Sequence, residues 1–382
     1  MTLRLGVQTI VKSLGCYTVV YTPTSYTPTL LILRFMHLLV TRFSAFGDVA
    51  MTVPVLWTVA RQYPEHRFTV LSRESMCPLF LQMPENVSFR GVNLKDERYK
   101  GPMGMVRLYR ELQKELHFDA VADLHDVLRT KILRTCARLK GVRVACIDKG
   151  RKEKKQLIRP ENKVMKQLST SFDHYRDVFT ALDLPIEQIE FTGIYGKERG
   201  DFSRVEEKIL PRREKEKWVG IAPFAAHKGK IYPLEQMEQV VALLDKEEDV
   251  RMFLFGAGEK EMNVLKEWAQ KYPHAVIPEG LRMERELILM SHLDVMVSMD
   301  SANMHLASLV HTPVVSIWGA THPYCGFMGY GQRAENALQI NDLACRPCSV
   351  FGNKPCLHGD FRCLTRITPE MVVEKVKSVV NP

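Results

Sequence analysis

From residue 37 onward, short apolar runs alternate with stretches whose apolar positions recur at helical spacing. His37–Phe43 reads as a buried first strand and Val49–Tyr63 as a helix, with Val53, Leu56, Val59 and Ala60 on one face. Pro54 falls in the first turns of that helix, where proline is tolerated. Further strands are expected at 67–71, 87–89, 118–124 and 142–147, with helices at 103–116 and 126–139. The next helix carries Phe172, Tyr175, Val178, Phe179 and Leu182 on one face, and His174 beside it reads as packing. The rhythm resumes with strands at 218–223, 250–255, 293–299 and 313–318. It ends on a helix over 369–380 striped by Val372, Val373, Val376 and Val380. Repeated strand–helix alternation predicts an α/β protein with parallel sheets covered by helices on both faces.

Between Leu184 and Lys217 the chain turns polar and glycine-bearing, with a charged helix expected over 201–216. This marks an interdomain boundary, dividing the chain into 36–195 and 196–382. Residues 1–35 lack the pattern. Lys12, Ser13 and a Thr/Pro/Ser/Tyr patch at 22–29 break their apolar content, which makes a poor secretory signal. They read as an upstream extension with Met36 as the working start, a short N-terminal anchor being the alternative. Leu30–Val40, interrupted by Arg34 and His37, is too short to span a bilayer.

Charge narrows the partners. Across 382 residues, 53 Lys and Arg against 44 Asp and Glu leave a net +9. That suits an anionic substrate or membrane surface; with no recognisable nucleic-acid module, nucleic acid ranks last. Nine cysteines, most of them scattered, fit a reducing cytosolic compartment rather than a disulfide framework. Cys345, Cys348, Cys356 and Cys363 are close enough in sequence for zinc. The lack of a second C-x-x-C, with Pro347 and Pro355 between them, favours structural thiols.

Three stretches carry candidate chemistry. After the 293–299 strand, Asp300-Ser301 leads directly into a helical pattern. Such a strand-to-helix turn presents free amides and a positive dipole end, an anion site. Asp300 and His305 would then hold sugar and phosphate; the plainer alternative is a cap with a packed histidine behind it. At Ser44–Asp48, Gly47 permits close backbone approach, and Asp48 is either an N-cap or a catalytic carboxylate. Lys149–Arg159, with Lys152, Lys154 and Lys155, is either a solvated loop or a landing patch for a phosphorylated or carboxylated acceptor. Gly256-Ala257-Gly258 lacks a third glycine and reads as a tight turn.

Taken in order, Arg42-Phe43-Ser44-Ala45-Phe46-Gly47-Asp48 with Pro54, then Asp300-Ser301-Ala302-Asn303-Met304-His305-Leu306-Ala307 running on to Thr312–Gly319, resemble glycosyltransferase family 9. These are the ADP-heptose:lipopolysaccharide heptosyltransferases and their relatives. The resemblance implies a GT-B architecture, with two Rossmann-like domains facing across a cleft and the last helix crossing back to the first domain. It implies an inverting transfer from an ADP-sugar donor to a lipid-linked glycan acceptor, at the inner face of the inner membrane. Asp48 matches the catalytic base, and Arg42 and Gly47 fall on the acceptor side with Lys152, Lys154 and Lys155. Lys230, Asp300, Ser301, Ala302 and His305 match the donor site, and Glu259 the acidic residue that grips the adenosine ribose. No metal or cofactor is expected. Ala225-Ala226 and Ser301-Ala302 depart from the family's hydroxyl-bearing and glycine positions, which leaves the donor sugar open. A nucleotide-sugar epimerase or hydrolase, or a non-catalytic binder, are the competing readings.

Overall fold

The computed structural model describes residues 35–381 and three short strands before them. Those strands, β1 (Lys12–Leu14), β2 (Tyr17–Val20) and β3 (Leu31–Arg34), form an antiparallel meander bonded to neither larger sheet. The rest of the expectation for 1–35 lies outside the described residues.

The first unit runs β4 (His37–Thr41), α1 (Phe46–Ala50), α2 (Thr52–Gln62), β5 (Arg67–Arg73), β6 (Val87–Val92), α3 (Gly101–Leu116), β7 (Ala120–Asp123), α4 (Leu128–Leu139), β8 (Arg143–Cys146), α5 (Arg151–Leu157) and α6 (Ser171–Thr180). Its parallel sheet has the order β6-β5-β4-β7-β8. The second unit runs β9 (Lys217–Ala222), α7 (Leu234–Leu244), β10 (Val250–Leu254), α8 (Glu259–Lys271), β11 (Ala275–Val276), α9 (Met283–Ser291), β12 (Val295–Met299), α10 (Ala302–Leu309), β13 (Val314–Ile317), β14 (Ala337–Leu338), α11 (Arg362–Thr365) and α12 (Pro369–Val380). Its parallel sheet has the order β11-β10-β9-β12-β13-β14. In each sheet the strand order reverses once, between β4 and β7 and between β9 and β12. Crevices for ligands open at such switch points, beyond the carboxyl ends of the strands.

The expected α/β double-sheet architecture is therefore present, with four local corrections. The single helix expected over 49–63 starts earlier, and it breaks at Met51 into α1 and α2, so Gly47 and Asp48 are helical. The charged helix expected over 201–216 is reduced to one turn at Phe202–Arg204. Tertiary pairing wins there: Arg212 bonds Asp294 at 2.9 Å, and Glu216 is buried against the Trp218 indole N–H at 2.8 Å and Arg251 at 3.0 Å. The 149–159 run forms α5 rather than a solvated loop. Finally, α12 has the expected bounds but packs on α7, β12 and β13. Val372, Val373 and Val376 join the core of the second sheet instead of crossing back to the first.

The two units are joined by packing as well as by chain. One apolar core runs from α2 and α6 through α9 and α10, and α1 lies directly on α10.

Candidate active site

A cleft of about 1080 Å³ lies between the units, lined by Gly47 and Asp48 on one wall and Lys230, Asp300, Ser301, Ala302 and His305 on the other. A second cavity of about 590 Å³, around Lys197, Asp294 and His311, holds none of the predicted site residues.

On the first wall, Asp48 sits at the third position of α1. Its Oδ2 accepts from the Ala45 amide at 3.1 Å and pairs with Arg42 Nη2 at 2.7 Å. Among the described residues, Oδ1 has no protein partner. Arg42 is buried beside it, donating from Nη1 to the Leu124 carbonyl at 2.5 Å and lying over the Tyr175 ring. Those contacts hold Asp48 in place, and the Arg42 Nε is buried without a partner among the described residues. His125, at the end of β7, donates or accepts toward Ser44 Oγ at 3.3 Å. Burial, then Arg42 and Lys149, push its imidazole down to about 4.

Gly47 serves a helix contact. A Cβ built there would come within 2.7 Å of His305 Cδ2 and 3.5 Å of the Ala302 Cα. The close approach is between α1 and α10, at the cleft wall. His305 is buried, its Nδ1 has no partner, and burial pushes it down to about 4 against the opposing pull of Asp300 and Asp48. It is a neutral imidazole at physiological pH.

On the second wall, α10 begins after Ser301 with no side-chain cap, so its first-turn amides remain available. Asp300, 3% exposed, lies with Oδ2 2.8 Å from Lys230 Nζ, an angle-poor ion pair rather than a directed hydrogen bond. Lys230 stands on a single turn anchored by Gly229 N–H donating to the Gly352 carbonyl at 3.2 Å. The β9 and β12 switch point thus brings together a cation, a carboxylate and a free helix N-terminus.

Other predicted residues divide. Glu259 lies on the exposed side of α8, outside the cleft lining. Of the two neighbouring glutamates, Glu261 lines the cleft, accepting from the Ala257 amide at 2.8 Å. The two stand two residues apart after Gly258, and the sequence does not say which of them faces the cleft. Of the basic run, Lys152 and Lys155 are exposed, whereas Lys154 is 8% exposed, its ammonium 4.7 Å from the Phe327 ring centroid. Burial pulls Lys154 below the usual lysine range. Lys154 therefore belongs to the interior of the interface and the other two lysines to its surface. Phe327 and Glu286, both in the lining, carried no motif that would have found them.

The described cysteines are free thiols. Among the described residues, three potential metal-ligand atoms converge only at Asp123, Asp126 and Cys146, and Arg134 bonds all three there. The four tail cysteines do not form such a set.

Comparison with known proteins agrees with this geometry. The profile of glycosyltransferase family 9 (heptosyltransferase) matches residues 105–354. Lipooligosaccharide heptosyltransferase 2 of Campylobacter jejuni is 24% identical, covering 88% of this chain and 95% of its own. Among solved structures, the E. coli ADP-heptose LPS heptosyltransferase II superposes with a TM-score of 0.65 at 18% identity, over 90% of this chain and 98% of that one. The E. coli heptosyltransferase WaaC, solved with ADP-2-deoxy-2-fluoro heptose, gives 0.60 at 16% identity, over 90% and 99%. With a matching profile over most of its length and a two-sheet fold around one cleft, the chain belongs to glycosyltransferase family 9, and it is a glycosyltransferase.

Proposed function

We propose that this protein transfers a heptose from ADP-heptose to a lipopolysaccharide-type acceptor with inversion at the anomeric carbon, using Asp48 as general base. The observation that carries the reading is the placement of Asp48 across one cleft from the Lys230–Asp300 pair and the α10 N-terminus. The donor's diphosphate lies against the first-turn amides of α10, where the dipole favours negative charge. Lys230 Nζ, now shared with Asp300, turns to the phosphates as charge develops on the departing ADP. The acceptor hydroxyl approaches from the Asp48 wall, and the free Oδ1 takes its proton as the new bond forms. Attack from the wall opposite the leaving group inverts the centre, so no covalent intermediate is assigned. Cation and amides meet the developing charge, so the reading assigns no step to a metal.

Lys152 and Lys155, exposed on α5 at the same sheet edge, extend the first wall toward an anionic acceptor and the anionic inner face of the inner membrane. On this reading the enzyme works from the cytoplasm as a peripheral protein. No described helix is long and apolar enough to cross a membrane.

Titration calorimetry with ADP, UDP, GDP and ADP-heptose tests the donor. Preferential binding of ADP and ADP-heptose is expected; preference for UDP or GDP overturns the donor assignment while leaving the family intact.

A further inference from the structure

Glu286 stands apart from the other acidic groups of the cleft. Asp48 pairs with Arg42, Asp300 with Lys230, Glu279 with Lys266, and Glu261 accepts from the Ala257 amide. Glu286, in the first turn of α9, is half-buried in the lining of the same cleft, which also includes Leu281 and Met283. Among the described residues its carboxyl group has neither hydrogen bond nor ion pair, and burial alone pushes it above the usual carboxylate range. A carboxyl with no protein partner on the wall of a cleft leaves its acceptor oxygens to water or to a donor on a ligand.

Its position indicates which part of the ligand. The groups assigned to the diphosphate follow β9 and β12. The apolar slot formed by Leu254, Ile277, Pro278, Leu281 and Met283 follows β10 and β11, one and two strands further out. At about 4.8 Å per strand that is roughly 5–10 Å from the phosphate site, the reach from a nucleotide's diphosphate to its base. Glu286 lines the same cleft from α9, the helix that follows β11.

We propose that Glu286 is a specificity-determining residue for the nucleotide, its carboxyl accepting a hydrogen bond from an exocyclic amino group on the base. This rests on the ADP-sugar reading above. An exocyclic amino group supplies the donor that the carboxyl lacks, whereas a base with a carbonyl in its place presents a second acceptor there and must shift to offer its ring N–H.

Calorimetry with ADP and inosine diphosphate, which differ at that edge, tests it on the full-length protein and on Glu286→Gln and Glu286→Ala. The wild type is expected to bind ADP about tenfold or more tightly than inosine diphosphate. Glutamine can turn either its carbonyl or its amide to the base, so Glu286→Gln should bring the ratio close to one. Glu286→Ala should do the same by removing the acceptor. Equal binding of the two nucleotides by the wild type, or an unchanged ratio in both variants, overturns the proposal. So does a loss confined to ADP-heptose, which would put the carboxyl on the sugar. If the wild type binds neither nucleotide, the donor reading itself fails, and this inference with it.

Discussion

Asp48 and Gly47 are neighbours in one short helix, yet they answer to different constraints. Asp48 has one oxygen tied to Arg42 and Ala45 and the other without a protein partner. Asp48→Asn should therefore keep the fold and the donor affinity while lowering kcat by a factor on the order of 10²–10⁴. Parallel calorimetry and turnover measurements check this, and equal loss of binding and turnover would contradict it. Gly47→Ala places a methyl group 2.7 Å from His305 Cδ2, an overpacking that should cost about 1–3 kcal/mol in urea unfolding. The motif around both residues is visible in the sequence. That Gly47 also meets another helix is not, because that depends on how α1 lies on α10. The same limit explains why the pairing of Arg42 with Asp48 is seen only in the fold, and why Glu261 lines the cleft while Glu259 does not.

Elements were legible where local preference and tertiary pairing agree. The strands that flank the two switch points were expected within a few residues of their bounds, because buried parallel strands read as continuous apolar runs. α6 shows the same agreement at its start: Thr170 Oγ1 accepts from the Asp173 amide at 3.1 Å, and Asp173 Oδ2 accepts from the Thr170 amide at 2.8 Å. Thr170→Ala should cost about 1 kcal/mol in the same unfolding assay, and a change within error would contradict the cap's role. Where the levels conflict, the sequence misleads. Residues 201–216 have helical composition, but Arg212 and Glu216 are drawn into pairs with Asp294 and Arg251, and Pro211 interrupts the run. For α12 the apolar stripe was readable, though a stripe does not say which sheet it covers.

For the whole molecule, three histidines at or near the cleft couple stability to acidity. His125, His305 and His322 are each held down to about 4 from 6.5, chiefly by burial. Above pH 6.5 they are neutral in both folded and unfolded chains and add no pH dependence. As pH falls from 6.5 toward 4, the unfolded chain binds protons that the native state refuses, so stability falls across that window. Urea midpoints at about pH 7.5 and about pH 5 should show the drop, and His305→Gln should make it shallower. A midpoint that holds or rises on acidification contradicts the burial assigned to these rings.

The joining of two sheets by one core sets the Asp48 wall against the Lys230–Asp300 wall, and the central claim is that sugar crosses between them. The most direct measurement is incubation of the protein with ADP-heptose and heptose-free lipooligosaccharide, following the acceptor by mass spectrometry and the new linkage by NMR. The account predicts one added heptose whose anomeric configuration is inverted relative to the donor, and none with Asp48→Asn. Retention of configuration, or ADP release with no sugar on the acceptor, would contradict it.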